Sequence, residues 1–232
     1  MNDTIYRAIV ARGNFIGQDR PDIQYTVKEL SRTMSKPDRE SGARAKRLGR
    51  YPVGAPRLVA KCEVQDMPEK IDVWTDTDFA GCQVTRKSTS GGVIMFGKHC
   101  LKTWSSTQEV VAVSSGEAEL YGIVQGATHG LGMQSLMRDL GIEAEIHIHS
   151  DASAAIGMTR RRGVGKVRHI EVKELWVQDM VQSGKVYIHK VEGVNNIADI
   201  LTKYVNRDKL LEAVYRMGFE LRGGRHHLSP TV

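Results

Sequence analysis

The spacing of hydrophobic residues changes partway along this chain. Apolar residues three and four positions apart predict a helix over 22–36, and a basic helix is expected over 39–50. The prolines and the glycine within 51–56 are expected to end that second helix. Residues 1–58 are therefore predicted to form a helical segment, which a linker at 59–69 joins to the rest of the chain.

From residue 70 the pattern becomes that of a mixed sheet with helices. Short runs of alternating or continuous apolar residues predict strands at 70–76, 91–97, 100–104, 144–150 and 185–191. Helical periodicity predicts helices at 115–140, 152–160, 169–183, from 195 onward, and at 206–217. This order predicts an α/β domain over 70–217, with helices on the faces of a mixed sheet. Residues 218–232 are expected to form a flexible tail.

The predicted helix 115–140 carries three glycines on one face, Gly122, Gly126 and Gly130. Each is expected to cost roughly 1 kcal/mol of helix stability relative to alanine. Their spacing of four residues would let a neighbouring element pack closely, and this is our interpretation of why the helix tolerates them.

Composition narrows the partners and the setting. The chain has 232 residues, with 33 Lys and Arg against 27 Asp and Glu, and its net charge of +6 favours a polyanionic partner. Three cysteines without a CxxC pair give neither a disulfide scaffold nor zinc spacing, so an intracellular location is expected. No signal peptide and no long apolar run is present, so no membrane partner is expected.

Four acidic residues lie where elements begin or end. Asp76 and Asp151 follow β-like apolar segments, whereas Glu119 and Asp199 lie in the first turns of predicted helices. Each has an ordinary explanation, such as a turn residue, an N-cap or a favourable position in a helix dipole. Together they suggest carboxylates that converge on Mg²⁺ or Mn²⁺, because hard cations prefer oxygen ligands. Two such ions are a recurring device for phosphodiester cleavage.

The motifs around these acids are more specific. The chain resembles the ribonuclease H domain of copia-type retrotransposon Pol polyproteins, with the end of the reverse transcriptase in front of it. The motifs that carry the resemblance are TDTDFAG at 75–81, TRKSTSGG at 85–92, WSSTQ at 104–108, SSGEAEL at 114–120, KVRHI at 166–170 and ADILTK at 198–203. In front of them, RPDIQY at 20–25 and LSRTMSKP at 30–37 resemble the reverse transcriptase.

The resemblance implies a fold, a reaction and a set of residues. It implies a ribonuclease H-like fold with a five-stranded mixed sheet flanked by helices. The implied activity is hydrolysis of the RNA strand of an RNA/DNA hybrid with two Mg²⁺ or Mn²⁺ ions and no small-molecule cofactor. The catalytic and metal-binding carboxylates would be Asp76, Glu119, Asp151 and Asp199, with Glu119 matching the motif better than Glu117. The partners would be the hybrid and the rest of a reverse transcriptase, in a cytoplasmic virus-like particle or in the nucleus.

Some positions depart from the family pattern. The loop 191–196 lacks the histidine that cellular ribonucleases H carry. His169 or His189 could substitute for it, with His169 as the accessory candidate, and the alternative is that no histidine has this role. Asp151 is followed by alanine and serine where the family has two amides, and the polymerase's acidic motif is absent, so polymerisation is not expected. Two alternatives therefore stay open. One is a weak or inactive remnant that binds nucleic acid or packs against a polymerase, and the other is a different metal nuclease or transposase-like enzyme.

A basic segment near residue 165 is the candidate surface for the nucleic acid. Its charged residues are Arg160, Arg161, Arg162, Lys166 and Arg168. They would clamp phosphates without reading sequence, although an ordinary solvated loop would look the same. Arg86 and Lys87 are weaker candidates for the same role.

Overall fold

The computed structural model describes residues 2–163, 165, 174–224, 226 and 228. The α-helices are α1 (Asp3–Ile16), α2 (Pro21–Ser31), α3 (Arg39–Gly54), α4 (Ser115–Asp139), α5 (Ser153–Arg160), α6 (Trp176–Gln182) and α7 (Arg207–Arg216). The strands are β1 (Arg57–Ala60), β2 (Lys70–Asp78), β3 (Thr89–Phe96), β4 (His99–Thr107), β5 (Glu145–Ser150), β6 (Val186–Lys190) and β7 (Phe219–Arg222). Two short 3₁₀ helices, Gly193–Asn195 and Ile197–Leu201, lie between β6 and α7.

Five strands form the central sheet, in the order β4-β3-β2-β5-β6. The strands β2, β3 and β4 form an antiparallel meander, whereas β5 runs parallel to both β2 and β6. The expected fold class is confirmed: this is an α/β, ribonuclease H-like fold with a five-stranded mixed sheet flanked by helices. Because β2 and β5 pair in parallel, the ends of both strands lie at the same edge of the sheet. Asp76 lies near the end of β2, and Asp151 follows the end of β5.

Apolar residues cover the sheet on both faces. One face packs against α4, α5 and α6 through residues that include Ile71, Val73, Ile146 and Ile148. The other face packs against the second 3₁₀ helix and α7. The sheet is therefore enclosed over much of its area, and its carboxyl edge is held between the start of α4 and the 3₁₀ helix.

The glycines of α4 allow this close packing. A Cβ atom on Gly122 would lie 2.6 Å from Thr77 Oγ1, and one on Gly126 would lie 2.5 Å from Thr75 Cγ2. Both distances are shorter than real Cβ contacts, so β2 approaches α4 more closely than any other residue type would permit. The structure thus agrees with the interpretation that the glycine spacing serves packing.

The N-terminal helices have a core of their own. The side chains that form it come from α1, α2 and α3 and include Tyr6, Val10, Leu30 and Leu48. The segment 51–56 ends the second helix as predicted, but the helix runs four residues further than the expected end at 50, because α3 continues through Pro52 to Gly54. A proline inside a helix removes one backbone hydrogen bond and crowds the preceding turn, and this costs stability rather than forbidding the helix.

Two further expectations differ from the structure. The start of the expected flexible tail, Phe219–Arg222, is an ordered strand that pairs antiparallel with β1, whose residues reach into the expected linker. The helix expected from 195 is instead the 3₁₀ helix Ile197–Leu201. Of the helix expected at 169–183, the described part is α6. No helix within the described residues is long and apolar enough to cross a membrane.

Candidate metal centre

Asp76 lies near the end of β2 and is 3% exposed. The hydroxyl of Thr202 donates a hydrogen bond to its carboxylate. Its cross-strand partner is Gly91, where a Cβ atom would lie 2.8 Å from Leu201 Cβ. The glycine therefore lets the 3₁₀ helix lie directly on the sheet beside Asp76, and this brings the segment that contains Asp199 to the same place.

Glu119 occupies the first turns of α4, which begins after Ser114. The Ser114 hydroxyl caps the helix by accepting a hydrogen bond from the Glu117 amide at 3.2 Å. The neighbouring Glu117 carboxylate accepts hydrogen bonds from the Val113 amide at 2.9 Å and from the Tyr121 hydroxyl at 2.7 Å. Glu117 thus closes the start of the helix, whereas Glu119 faces the acids at the sheet edge.

Asp151 follows β5 directly. The N-cap of α5 is Ala152, which makes no side-chain capping bond, so the N-cap explanation for Asp151 was wrong. Carboxylate oxygens of Asp76, Glu119 and Asp151 all lie within 4.8 Å of one another. Three separate elements therefore direct three acids to one point. Within the described residues, no other group of three or more potential ligand side chains has this geometry.

Asp199 is 3% exposed but is engaged by two lysines. Lys203, one helical turn further on, places its ammonium 3.0 Å from the Asp199 carboxylate and 3.7 Å from that of Asp76. Lys209 makes a second, close ion pair with Asp199. The fourth acid therefore lies near Asp76, and the Lys203 ammonium contacts both carboxylates.

The electrostatics of the cluster favour a bound cation. Burial first, and then the charge of Asp199, raise the pKa of Asp76 to about 6, although Lys203 and the Thr202 hydroxyl oppose the rise. Burial first, and then Asp76 and Asp151, raise the pKa of Glu119 to about 9. Without a cation these acids therefore hold protons that ordinary carboxyl groups release, because like charges this close resist joint ionisation.

The residues present fit a hard divalent metal ion. Glu119 Oε2 is buried and has no hydrogen-bond partner among the described residues. A buried polar oxygen without a partner is costly and calls for a ligand. The donor set is made only of carboxylate oxygens. Mg²⁺ and Mn²⁺ prefer such oxygen ligands over softer nitrogen or sulfur ligands.

The candidate nucleic-acid residues are only partly arranged as a clamp. Arg160 donates a hydrogen bond to the Ile188 carbonyl at 3.1 Å, and Arg162 donates one to Gln182 at 2.7 Å. These two guanidinium groups therefore support local structure. Arg161 is half-buried beside them. The remaining members of the segment, Lys166, Arg168 and the accessory candidate His169, lie outside the described residues.

Arg86 and Lys87 lie in a turn after β2. The Arg86 amide donates to the Cys82 carbonyl at 2.7 Å, and Arg86 has a positive φ of 58°. Its side chain is exposed. The turn holds this charge at the surface, and no contact relates it to the acids.

Sequence reasoning missed three side chains that complete the centre. They are Lys203, Lys209 and Thr202, and each contacts an acid of the cluster. The spacing of four residues between Asp199 and Lys203 was a usable signal, because residues four apart share a helix face. No comparable signal marks Lys209, because it lies in the first turn of a separate helix, α7, whose N-cap is Asn206.

Fold and site together define a ribonuclease H-like domain with a cluster of acids at the carboxyl edge of its sheet. The resemblance stated from the motifs is confirmed, because the chain is similar over most of its length to retrotransposon Pol polyproteins. It is 28% identical over 193 residues to the retrovirus-related Pol polyprotein from transposon TNT 1-94 of Nicotiana tabacum, which covers 82% of this chain and 14% of that one. It is also 28% identical over 218 residues to the corresponding polyprotein from transposon RE1 of Arabidopsis thaliana, which covers 93% of this chain and 15% of that one.

The chain thus spans about one seventh of the length of these relatives. No protein-family model matches it. One solved structure it overlaps is that of LC11-RNase H1 in complex with an RNA/DNA hybrid, at a TM-score of 0.41 and 18% identity, covering 57% of this chain and 94% of that one. A likeness at this level supports no functional argument, so the fold assignment depends on the strand order and packing described above.

Proposed function

We propose that this chain hydrolyses the RNA strand of RNA/DNA hybrids, with two divalent metal ions held by Asp76, Glu119, Asp151 and Asp199. The observation that carries the proposal is the convergence of three carboxylates from β2, α4 and the end of β5 within 4.8 Å. Asp199 lies near Asp76, and ion pairs with Lys203 and Lys209 neutralise its negative charge. The similarity to retrovirus-related Pol polyproteins and the resemblance of the motifs at 20–25 and 30–37 to a reverse transcriptase support a hybrid as the substrate.

The chain's own residues would position and charge the site. When bound, two divalent cations would lower the pKa of a water nucleophile and neutralise charge on the phosphate and the leaving oxygen. Asp76 would be central to the site, because its carboxylate lies within 4.8 Å of those of Glu119 and Asp151 and shares the Lys203 ammonium with Asp199. Glu119 would release its proton on loading, since its pKa of about 9 leaves it protonated at neutral pH without a cation.

Two groups near the acids would respond to loading. The Thr202 hydroxyl would fix one oxygen of Asp76. Lys203 would have to withdraw from the space between Asp76 and Asp199 to admit an ion there, and its exposed side chain has room to do so. The basic segment near residue 165 would hold phosphates, and the 2′-hydroxyl would distinguish the RNA strand from the DNA strand.

Cleavage of a labelled hybrid tests the proposal. The purified chain should cut the RNA strand of an RNA/DNA hybrid in Mg²⁺ or Mn²⁺ and lose that activity in EDTA. The variants Asp76→Asn and Glu119→Gln should lose cleavage, whereas Asp66→Asn, at an exposed carboxylate on the loop before β2, should not. Metal-dependent cleavage that survives in Asp76→Asn would reject the assignment of the site.

The same experiment addresses the remnant alternative, which the ion pairs of Asp199 favour. If the lysines hold Asp199 too firmly for a second ion to enter, the chain would bind the hybrid without cutting it. A binding measurement on the same hybrid by fluorescence anisotropy separates that outcome from a chain that does not recognise hybrids. Cleavage of duplex DNA in preference to the hybrid would instead favour a different nuclease of this fold.

A further inference from the structure

Three histidines lie on one face of the sheet, on the two strands β5 and β6. His147 and His149 alternate with buried isoleucines along β5, so both point to the same face. His189 lies on the adjacent strand β6, directly opposite His149 in the strand register. Nothing in the proposed hydrolysis uses these side chains.

His147 and His189 approach each other closely. His189 Nε2 lies 2.9 Å from His147 Nδ1, and the two ring planes are only 12° apart. On the far side of the first ring, His147 Nε2 lies 3.3 Å from the Glu145 carboxylate. A carboxylate only accepts, so in the neutral ring Nε2 carries the proton and Nδ1 presents a lone pair towards His189. This is the carboxylate–histidine arrangement that orients an imidazole for metal binding.

We propose that His147 Nδ1 and His189 Nε2 bind one borderline divalent transition-metal ion, of which Zn²⁺ is the representative probe. Imidazole nitrogens suit such ions and do not suit Mg²⁺. Two nitrogens bound tetrahedrally at about 2.0–2.1 Å from zinc lie about 3.4 Å apart. The two nitrogens therefore need to separate by about half an ångström, and the rings have to turn so that each lone pair points about 35° away from the line between the nitrogens. His189 also has to move its proton from Nε2 to Nδ1.

The surroundings hold the pair in place. His149 stacks on Trp74 with ring centroids 4.4 Å apart, and its Nε2 lies 2.7 Å from Asp72 Oδ1. Its ring also lies 5.4 Å from that of His189, so it supports the pair from one side. Burial first, and then His149 and His147, lower the pKa of His189, so this ring is neutral and able to bind a metal at neutral pH.

The site is open and labile. Among the described residues no third side chain converges with these two nitrogens, so water would complete the coordination. The His147 side chain is 19% exposed, which gives an ion access from solvent. A bound ion would link β5 to β6 and would remain chemically distinct from the carboxylate cluster, because one site offers nitrogen ligands and the other only oxygen ligands.

Calorimetric titration with Zn²⁺ in the presence of saturating Mg²⁺ tests the proposal. His226 and His227 could bind the same ion, so the starting protein carries His226→Gln and His227→Gln. It should bind one Zn²⁺ per chain, and His147→Gln or His189→Gln should each weaken that binding at least tenfold. The matched control His99→Gln lies on β4, at the opposite edge of the sheet, and should leave binding unchanged.

A second measurement avoids substitutions within the pair. Substoichiometric Cu²⁺ should broaden the ring NMR signals of His147 and His189 before those of His99. Absence of Zn²⁺ binding, unchanged affinity in both folded pair variants, or equal broadening of all histidine signals would overturn the proposal. None of these results depends on whether the chain cleaves a hybrid, so the proposal fails or stands separately from the proposed function.

Discussion

Replacing Asp76 with asparagine should stabilise the metal-free protein while abolishing its proposed activity. The carboxylate is 3% exposed, and burial and the charge of Asp199 disfavour its ionised form. The amide has almost the same shape and no charge. The change therefore removes a destabilising charge from the folded state and leaves the packing intact.

The size of the effect follows from the pKa of this group. A rise from its ordinary value of 3.8 to about 6 corresponds to about 3 kcal/mol of unfavourable ionisation free energy in the folded state. The amide group would recover less than this, because its N–H₂ donors would lack the partners that a buried polar group requires. The charge of Lys203 would also lose one of its two carboxylate partners. We therefore expect a net gain of roughly 1–2 kcal/mol in the free energy of unfolding.

The pH dependence gives the sign of the effect. A carboxyl group whose folded pKa is raised binds more protons in the folded state than in the unfolded state. Stability of the unsubstituted protein is therefore lost as pH rises from about 4 to about 6, and the loss then stays constant. The advantage of Asp76→Asn should be absent at pH 4, grow up to about pH 6, and persist at pH 8.

Urea denaturation in EDTA at pH 4 and at pH 8, followed by circular dichroism, measures this difference. Asp66→Asn is the matched control and should change stability at neither pH, because its carboxylate is exposed. Saturating Mg²⁺ at pH 8 should stabilise the unsubstituted protein and reduce the advantage of the variant. An Asp76→Asn protein that is less stable than its parent at pH 8 in EDTA, or equally favoured at pH 4, would refute the electrostatic reasoning.

Three other perturbations test separate parts of the structure. Lys203→Gln should tighten Mg²⁺ binding measured by calorimetry, because an ammonium no longer competes for the acids; weaker binding would contradict this. Gly126→Ala should destabilise the fold by about 1–3 kcal/mol through overpacking against a threonine methyl group of β2. The control Gly132→Ala, whose Cβ would meet nothing within 4 Å, should stabilise the fold by up to about 1 kcal/mol. Equal effects of the two variants in urea denaturation would argue against the close packing of α4. Arg161→Gln with Arg162→Gln should flatten the salt dependence of hybrid binding by about 0.9 in the log–log slope per lost phosphate contact, and an unchanged slope would reject the clamp.

Local sequence patterns predicted most of the fold. Alternating or continuous apolar runs identified every strand of the central sheet. A strand buried on one face alternates, whereas one buried on both faces, such as β3, reads as a continuous run. The pairing of β1 with β7 was not predictable in this way. Each has four residues, and β1 precedes the central sheet along the chain whereas β7 follows it. Their pairing therefore depends on the position of the intervening domain rather than on local preference. The proline in α3 misled in a different way, because its local penalty did not end the helix at once.

The same difference between local sequence patterns and tertiary packing applies to the candidate site. The four acids could be proposed from motifs, and packing places three of them together. The lysines could not be assigned in advance, because an ammonium on a long, flexible side chain reaches its partner only once the backbone is placed. Lys166, Arg168 and His169 remain predictions that concern residues outside the described part of the chain.

An ordinary structural explanation fits Asp199 but does not fit the other three acids. Asp151 does not cap α5, and the buried Asp76 and Glu119 have raised pKa values that a purely structural role would not favour. Neutral amides or apolar residues at those two positions would make the metal-free fold more stable. Asp199 is different, because two lysine partners give it a structural explanation that needs no metal. The geometry therefore gives stronger support to an ion at Asp76, Glu119 and Asp151. An ion at Asp76 and Asp199 requires that the Lys203 ammonium move away from these two carboxylates.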